Sequence, residues 1–514
     1  MYQNYKILHK ERYFYRYIYK NNMGIIKRQG LKFSFFNYIG VAMGAISSIF
    51  IYPRNKELYG LFGFLLDTAN IIVPFALMGA TSICIFYFPE YRDEKKGHNG
   101  FLFFLLSICT IGSLFFLLIF LFFKSNIITF FASKESDLYS RYIFYIIPIF
   151  LLYVFITIFR QYCTNFLRIA IPSALDQMIK FTFPILFILY ISEKISLDFV
   201  IYGIVFNFIL YLSFIIFYTH KINQLHLKPN FEIYKKETLK PLIPFAFYSM
   251  IGSAGSVIAL RIDTFMIGSM SNLFETGIYH LASLIALNIG VPYAAVSSIA
   301  SPIIAKAWKE NNLKEIEMIY KRSSIILTSF GLLCFIGLCF CIEDLFYIMP
   351  KGEEMLVAKQ AVLIIALTKL FDLFTGVNDI ITAYSKYYRF NFWSIVILSV
   401  TTIIGNLMLI PKYGITGAAY SIMFSSIIYN LAKYIFIRQI IKISPFTRET
   451  WKLLLIGLFC FAVAYFIPNS ENHLFNLCYK AFIISIIYII LLIKYKISTD
   501  LNLMFDTYLK KLRS

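Results

Sequence analysis

The chain has 514 residues, of which 59% are hydrophobic and 15% charged, with a mean hydropathy of +0.70. A soluble domain carries nearer about a quarter charged residues and could not keep this much Phe, Ile, Leu and Tyr from water, so a water-soluble globular protein is excluded. The formal net charge of +20 would point to nucleic acid in a soluble chain; here the placement of the charges gives another reading.

Residues 1–30 are basic and aromatic (KERYFYRYIYK at 10–20). They lack the apolar stretch and small-residue cleavage site of a secretory signal. They read as a cytoplasmic segment lying on the membrane surface. Met23 is an alternative start, because Met23-Gly-Ile-Ile-Lys-Arg28 runs straight into the first apolar stretch.

From residue 31 onward, apolar runs recur at the length of about 20 residues needed to cross a hydrocarbon core. The sequence predicts about fourteen membrane-spanning helices: 31–52, 61–87, 101–123, 139–160, 173–191, 199–219, 242–270, 277–303, 323–343, 359–384, 391–411, 415–437, 453–468 and 478–495. Helix is the expected form throughout, since a helix satisfies its own backbone in lipid and an open strand does not. The fold class is therefore all-α and polytopic.

Lys and Arg orient these spans. Residues 1–32, every second connection after them and the tail from 494 hold 34 of the 48 basic residues. By the positive-inside rule both termini and those connections are cytoplasmic. The positive charge is thus a topology signal, and no nucleic-acid partner is expected.

The chain repeats itself. Glu57-Leu-Tyr-Gly60 opens the second span and Val73-Pro74-Phe-Ala76 follows; Glu275-Thr-Gly-Ile-Tyr279 opens the eighth and Val291-Pro292-Tyr-Ala294 follows. The offset is 218 at both ends, from 57 to 275 and from 74 to 292. An odd number of spans precedes each copy, so two parallel six-helix lobes are predicted, 31–219 and 242–437, joined by a cytoplasmic connection at 220–241. Residues 438–514 supply two extra helices and a cytoplasmic tail. Repeats of this kind mark transporters, with the substrate site between the halves.

Ionisable residues inside spans are costly and therefore functional candidates. Lys369, Asp372, Gly376 and Asp379 share one face of the tenth span at about 100° per residue. The twelfth has Ser426, Asn430 and Lys433 on one face. The seventh has Ser249, Ser253, Ser256 and Asp263 together, with Arg261 turned away. The second carries Asp67, Asn70 and Pro74. Such stripes suggest a polar, water-filled cavity. The same residues also read structurally: Lys369–Asp372 and Asp176–Lys180 as neutralising pairs, Lys433 as a snorkelling lysine, Arg261 as the partner of an acid on a neighbouring helix. Pro74, Pro148, Pro184 and Pro292 are positions where a span can kink.

Enzyme signatures are weak. The six histidines (9, 98, 220, 226, 280 and 473) are scattered, the eight cysteines lie in or beside apolar spans, and there is no Walker loop, HExxH or nucleophile elbow. No cofactor or metal is expected.

Asn406-Leu-Met-Leu-Ile-Pro411-Lys-Tyr-Gly414-Ile-Thr-Gly417-Ala-Ala419 resembles a signature of bacterial polysaccharide flippases of the O-antigen type. Arg261-Ile-Asp263-Thr-Phe-Met-Ile-Gly268, followed by Glu275-Thr-Gly-Ile-Tyr279, resembles the seventh span of that family and of its wider superfamily, which includes multidrug exporters and lipid II flippases. The resemblance implies a multi-pass protein of the bacterial cytoplasmic (inner) membrane, working by alternating access. Its cargo would be an undecaprenyl-pyrophosphate-linked oligosaccharide, moved from the cytoplasmic to the periplasmic leaflet for surface polysaccharide biosynthesis. Membrane lipids are its surroundings, and glycan polymerase and assembly proteins are further partners the resemblance allows. Lys369, Asp372, Asp379, Arg261, Asp263 and Lys433 are the substrate-binding candidates, since pyrophosphate in a low-dielectric cavity needs cations and a sugar needs many polar contacts.

The alternatives are a multidrug exporter or lipid II flippase of the same superfamily. More remote is a membrane glycan polymerase or ligase, which would need a substantial exterior loop; the exterior connections 124–138 and 344–358 are short and contain no His. Four basic residues inside spans (Lys180, Arg261, Lys369 and Lys433) favour an anionic cargo over the cations typical of drug exporters.

Overall fold

The computed structural model describes residues 23–132 and 137–497. The segment before Met23 and the tail beyond residue 497 lie outside the described residues. All regular elements among the described residues are helical. Among the described residues, eleven helical stretches have the length and apolar composition to cross a membrane. The predicted eleventh and twelfth spans share one of them, Tyr388–Ile441. The predicted tenth and thirteenth spans fall on shorter helices outside that set, so the count of fourteen is not reproduced by this criterion.

The principal helices are α1 (Met23–Ile46), α2 (Lys56–Ala76), α3 (Phe101–Phe122), α4 (Ile146–Thr164), α5 (Met178–Ile191), α6 (Leu197–Lys221), α7 (Lys236–Met270) and α8 (Leu273–Leu287). They continue as α9 (Val291–Lys309), α10 (Leu313–Ile348), α11 (Lys359–Phe374), α12 (Asn378–Tyr384), α13 (Tyr388–Phe436), α14 (Arg448–Tyr465) and α15 (His473–Lys494). The 49-residue α13 is two spans joined at Gly414, whose φ of 55° and ψ of −134° are not helical. A residue with a Cβ would be strained there. A Cβ on Gly417 would lie 2.2 Å from the Leu409 carbonyl oxygen, so the turn closes only with glycine there.

The repeated prolines act differently in the two copies. Pro74 sits inside α2, and the helix ends two residues later in a turn through Met78 and Gly79, both at positive φ. Pro292 instead follows a 3-10 turn at Asn288–Gly290 and starts α9. A proline in the first helical turn has no N–H to lose, so this position carries little cost. Pro148 is likewise in the first turn of α4.

The chain divides into two compact units. The first comprises residues 23–52, 69–129 and 141–254 of the described chain. There α4 packs on α3 and α6, and α5 on α6. Arg160 Nη1 reaches Asp176 Oδ1 at 3.2 Å, and the Tyr211 hydroxyl donates to the same oxygen at 2.5 Å. The expected i,i+4 partnership of Asp176 with Lys180 is replaced by this cluster. The helix is interrupted at Gln177, between Ala170–Asp176 and α5, so uniform helical spacing is lost across the pair. Near the α3 start, His98 Nε2 lies 2.6 Å from Gln224 Oε1, tying 88–100 to 220–241. Arg141 pairs with Asp198.

The second unit comprises 53–68, the described part of 130–140, and 255–497. α10 packs against α11, α14 and α15, so the two extra helices are part of this core. Asp344 on α10 accepts from Lys480 Nζ at 2.9 Å and Asn476 Nδ2 at 3.2 Å, and lies 2.8 Å from His473 Nδ1. Lys56 Nζ donates to Glu354 Oε2 at 2.8 Å and to the Lys351 and Pro53 carbonyls at 2.9 and 3.1 Å. In both units these polar ties join segments that charge alternation assigns to a common side of the membrane.

Candidate functional site

The tenth predicted span is broken, and the break makes the site. α11 ends at Phe374, Gly376 takes a φ of +62°, and α12 restarts at Asn378. Non-helical backbone at membrane depth is tolerated only where protein groups or a water-filled cavity satisfy it. The second half of α13 supplies those groups. Ser426, Tyr429, Asn430 and Lys433 recur at the spacing of one helix face and meet the break. Asn430 Oδ1 accepts from Thr375 Oγ1 at 3.0 Å and Asn378 Nδ2 at 3.1 Å.

Two ion pairs flank the break. Lys369 Nζ lies 2.8 Å from Asp372 Oδ2, and Asp372 Oδ1 accepts from Ser426 Oγ at 2.5 Å and Asn430 Nδ2 at 2.7 Å. Asp379 pairs with Lys433 and accepts from the hydroxyls of Tyr429 at 2.9 Å and Tyr293 at 3.4 Å. Beside them opens a cavity of about 820 Å³ within the second unit, lined by Lys369, Asp372, Asp379, Tyr293, Tyr429, Asn391 and Ser426 among others.

Three of the six candidate residues, Lys369, Asp372 and Asp379, therefore line one cavity. Lys433 stands behind Asp379. Its side chain is fully buried while that of Asp379 is 44% exposed. It does not extend outward as a snorkelling lysine would, because its ammonium is held by Asp379 and Tyr429. Asp263 is buried away from the cavity and accepts from Asn406 Nδ2 at 2.7 Å and the Tyr279 hydroxyl at 2.8 Å. Arg261, two residues earlier and so on another face of α7, donates to Asp67 Oδ1 at 2.9 Å.

The sequence leads one to expect a polar cavity with cationic and acidic candidates, and the structure pairs the cations with acids. Lys369, Lys433 and Arg261 each already face a carboxylate. Along the cavity the acids are the more exposed partners: Asp372 at 31% against 19% for Lys369, and Asp379 at 44% against none for Lys433. The polar part of the wall is a nearly charge-balanced set of hydroxyls, amides and ion pairs, and the rest, with Leu260, Leu287, Val291, Ile395 and Leu398 among it, is apolar. Tyr293 and Tyr429 escaped sequence reasoning, since tyrosine is common in this chain and carries no motif. Asn406 was legible only as a polar residue in an apolar span. Among the described residues no group of three His, Cys, Asp or Glu side chains is placed to hold a metal ion.

Residues 55–308 match a family described as Polysaccharide biosynthesis protein. An uncharacterized membrane protein, MJ1068 of Methanocaldococcus jannaschii, is 24% identical over 262 residues, covering 50% of each chain. The capsular polysaccharide biosynthesis protein CapF of Staphylococcus aureus is 27% identical over 234 residues, 43% of this chain and 55% of its own. The matched region thus spans about half the length of these curated relatives. Among solved structures, the lipid II flippase MurJ in an inward closed conformation superposes with a TM-score of 0.72 at 17% identity, covering 90% of this chain and 98% of that one. An inward-facing multidrug resistance MATE family transporter of the MOP superfamily gives 0.59 at 14% identity, covering 78% and 94%. The fold is that of these transporters.

Proposed function

Taking the chain as a relative of the polysaccharide exporters of that superfamily, we propose that it flips a lipid-linked oligosaccharide across the bacterial inner membrane. The cargo is an undecaprenyl-pyrophosphate-linked glycan, moved from the cytoplasmic to the periplasmic leaflet by alternating access. The observation that carries this reading is the cavity wall, in which Lys369, Asp372, Ser426, Asn391, Tyr293 and Tyr429 present donors and acceptors with little net charge. A glycan is a neutral array of hydroxyls, and a wall whose charges already neutralise one another can meet it without a bare charge to desolvate. The similarity to capsular polysaccharide biosynthesis proteins supports the same cargo class.

A second reading is export of an amphiphilic cation. It rests on the exposure of Asp379, whose side chain is 44% exposed where it lines the cavity while its lysine is hidden. Expression in two bacterial hosts separates the readings. In a strain lacking its own polysaccharide flippase the chain restores surface glycan; in a strain lacking its drug exporters it leaves sensitivity to cationic dyes unchanged. The reverse pattern would establish the exporter.

A further inference from the structure

His280 belongs to no motif, yet it closes a corner of the second unit where α2, α7 and α8 meet. Its Nε2 lies 4.0 Å from Asp67 Oδ2, and its ring stacks on Tyr59 with centroids 5.0 Å apart. Its Nδ1 faces Gly63, where a Cβ would come within 2.1 Å of it. Asp67 is buried, and only half of its carboxylate is in use. Oδ1 accepts from Arg261, while Oδ2 is buried without a hydrogen-bond partner, as is His280 Nδ1. A gap of 4.0 Å is too long for a hydrogen bond but short enough for a charged imidazole to close. The Arg261 side chain is 45% exposed, so the cation that Asp67 now holds is within reach of a ligand.

We propose that Asp67, Arg261 and His280 form a proton-operated oxyanion site. One proton taken from solvent makes His280 an imidazolium. Asp67 passes from the guanidinium to the imidazolium, and Arg261 is released to bind a phosphate-like oxyanion. No covalent bond other than the new N–H changes. The charge of the cluster rises from zero to +1, and an arginine fork suits a tetrahedral oxyanion. The other charged groups around the corner are engaged: Asp263 with Tyr279 and Asn406, Lys369 with Asp372, Glu275 with Ser271, and Glu354 with Lys56. Imidazole is the side chain that ordinarily changes charge between about pH 5 and 8, which makes His280 the group of this cluster that a proton would switch. Because the cavity lysines are neutralised, Arg261 would provide the cation that the pyrophosphate of the proposed cargo needs. The assignment of the anion to that cargo rests on the flippase reading; the site itself does not.

The test is calorimetric titration of the purified full-length protein in lipid nanodiscs, with inorganic sulfate as the probe because it stays dianionic over this range. In the wild type, sulfate affinity should rise on acidification, approaching about tenfold per pH unit, the limit for one linked proton. His280→Gln should bind weakly with no pH slope, Asp67→Asn tightly with no pH slope, and Arg261→Gln at no pH. Heats in buffers of different ionisation enthalpy report proton uptake directly: about half a proton per sulfate at the imidazole midpoint and approaching one above it for the wild type, none for His280→Gln. Competition by phosphatidylglycerol in the nanodisc supports the site and assigns the anion to a lipid headgroup; indifference to lipid supports it and assigns the cargo. Equal pH slopes in the wild type and His280→Gln, or no sulfate binding by a folded wild type, overturn the proposal. A water filling the gap in a purely structural cluster would give that result. The wild type and His280→Gln alone decide the matter if Asp67→Asn does not fold.

Discussion

Gly60 on α2 and Gly277 on α8 bring two helix backbones into direct contact. A Cβ on Gly60 would lie 1.9 Å from the Leu273 carbonyl oxygen, and one on Gly277 the same distance from that of Lys56. These glycines fall in the two copies of the internal repeat, so the repeated segments pack on one another near their first turns. Helices in lipid gain little from apolar burial against each other and rely on such close approach.

Gly60→Ala and Gly277→Ala should therefore each reduce folded protein in the membrane. The atoms in the way are backbone and cannot rotate aside, so the cost should reach or exceed the ~1–3 kcal/mol of ordinary overpacking. Gly44→Ala, with nothing within 4 Å of the new Cβ, serves as the control. Fluorescence-detected size exclusion after mild heating measures all three. Equal profiles would show that the helices separate freely.

Lys433 should behave as a structural cation with a functional neighbour. Lys433→Ala leaves Asp379 without its buried partner, and removing one member of such a pair costs ~3–5 kcal/mol, here nearer the lower figure because Asp379 is partly exposed. Lys433→Met with Asp379→Asn should recover abundance. If abundance returns without transport, Asp379 has a role beyond neutralising Lys433; if both return, the pair is architecture alone. Membrane level and surface glycan in a flippase-deficient strain read the two separately.

Lys369 and Asp372 allow the sharper contrast. Where Lys369 contacts cargo, Lys369→Ala loses transport at normal abundance, and Lys369→Arg keeps part of it, since the charge survives in altered geometry. Asp372 retains Ser426 and Asn430 in either variant, so folding should tolerate the loss. The double change Lys369→Ala with Asp372→Ala should then remain inactive. Full restoration by the double change would reduce Lys369 to a counter-ion.

Much of the architecture is legible in the sequence because lipid imposes it: span length, helical form and charge alternation follow from composition. The stripe Lys369, Asp372, Asp379 was legible for the same reason, since charge at that depth needs a cause. The break at Gly376 was not, because a lone glycine in an apolar run does not declare its φ. Pairings were not legible either. Arg261 could be expected to meet an acid, but the choice of Asp67 depends on how α2 and α7 cross. Asp344 and Lys480 were missed because they sit at span ends, where charge is unremarked. His280 was passed over because a histidine is conspicuous in sequence only when clustered.

Topology can be checked without any transport assay. Single cysteines at 230 and 312 in a Cys-less background should be shielded from impermeant thiol reagents in intact spheroplasts, while one at 353 should react. Labelling at 230 or 312 before permeabilisation would reverse the orientation.

The central claim is that this chain moves a lipid-linked glycan between leaflets. The most direct measurement is the leaflet distribution of undecaprenyl-linked oligosaccharide after deletion of the gene, read by accessibility of the glycan to a glycosidase added outside spheroplasts. The account predicts that the oligosaccharide accumulates and is protected until the membrane is permeabilised. Oligosaccharide at normal level and fully accessible from outside would contradict it.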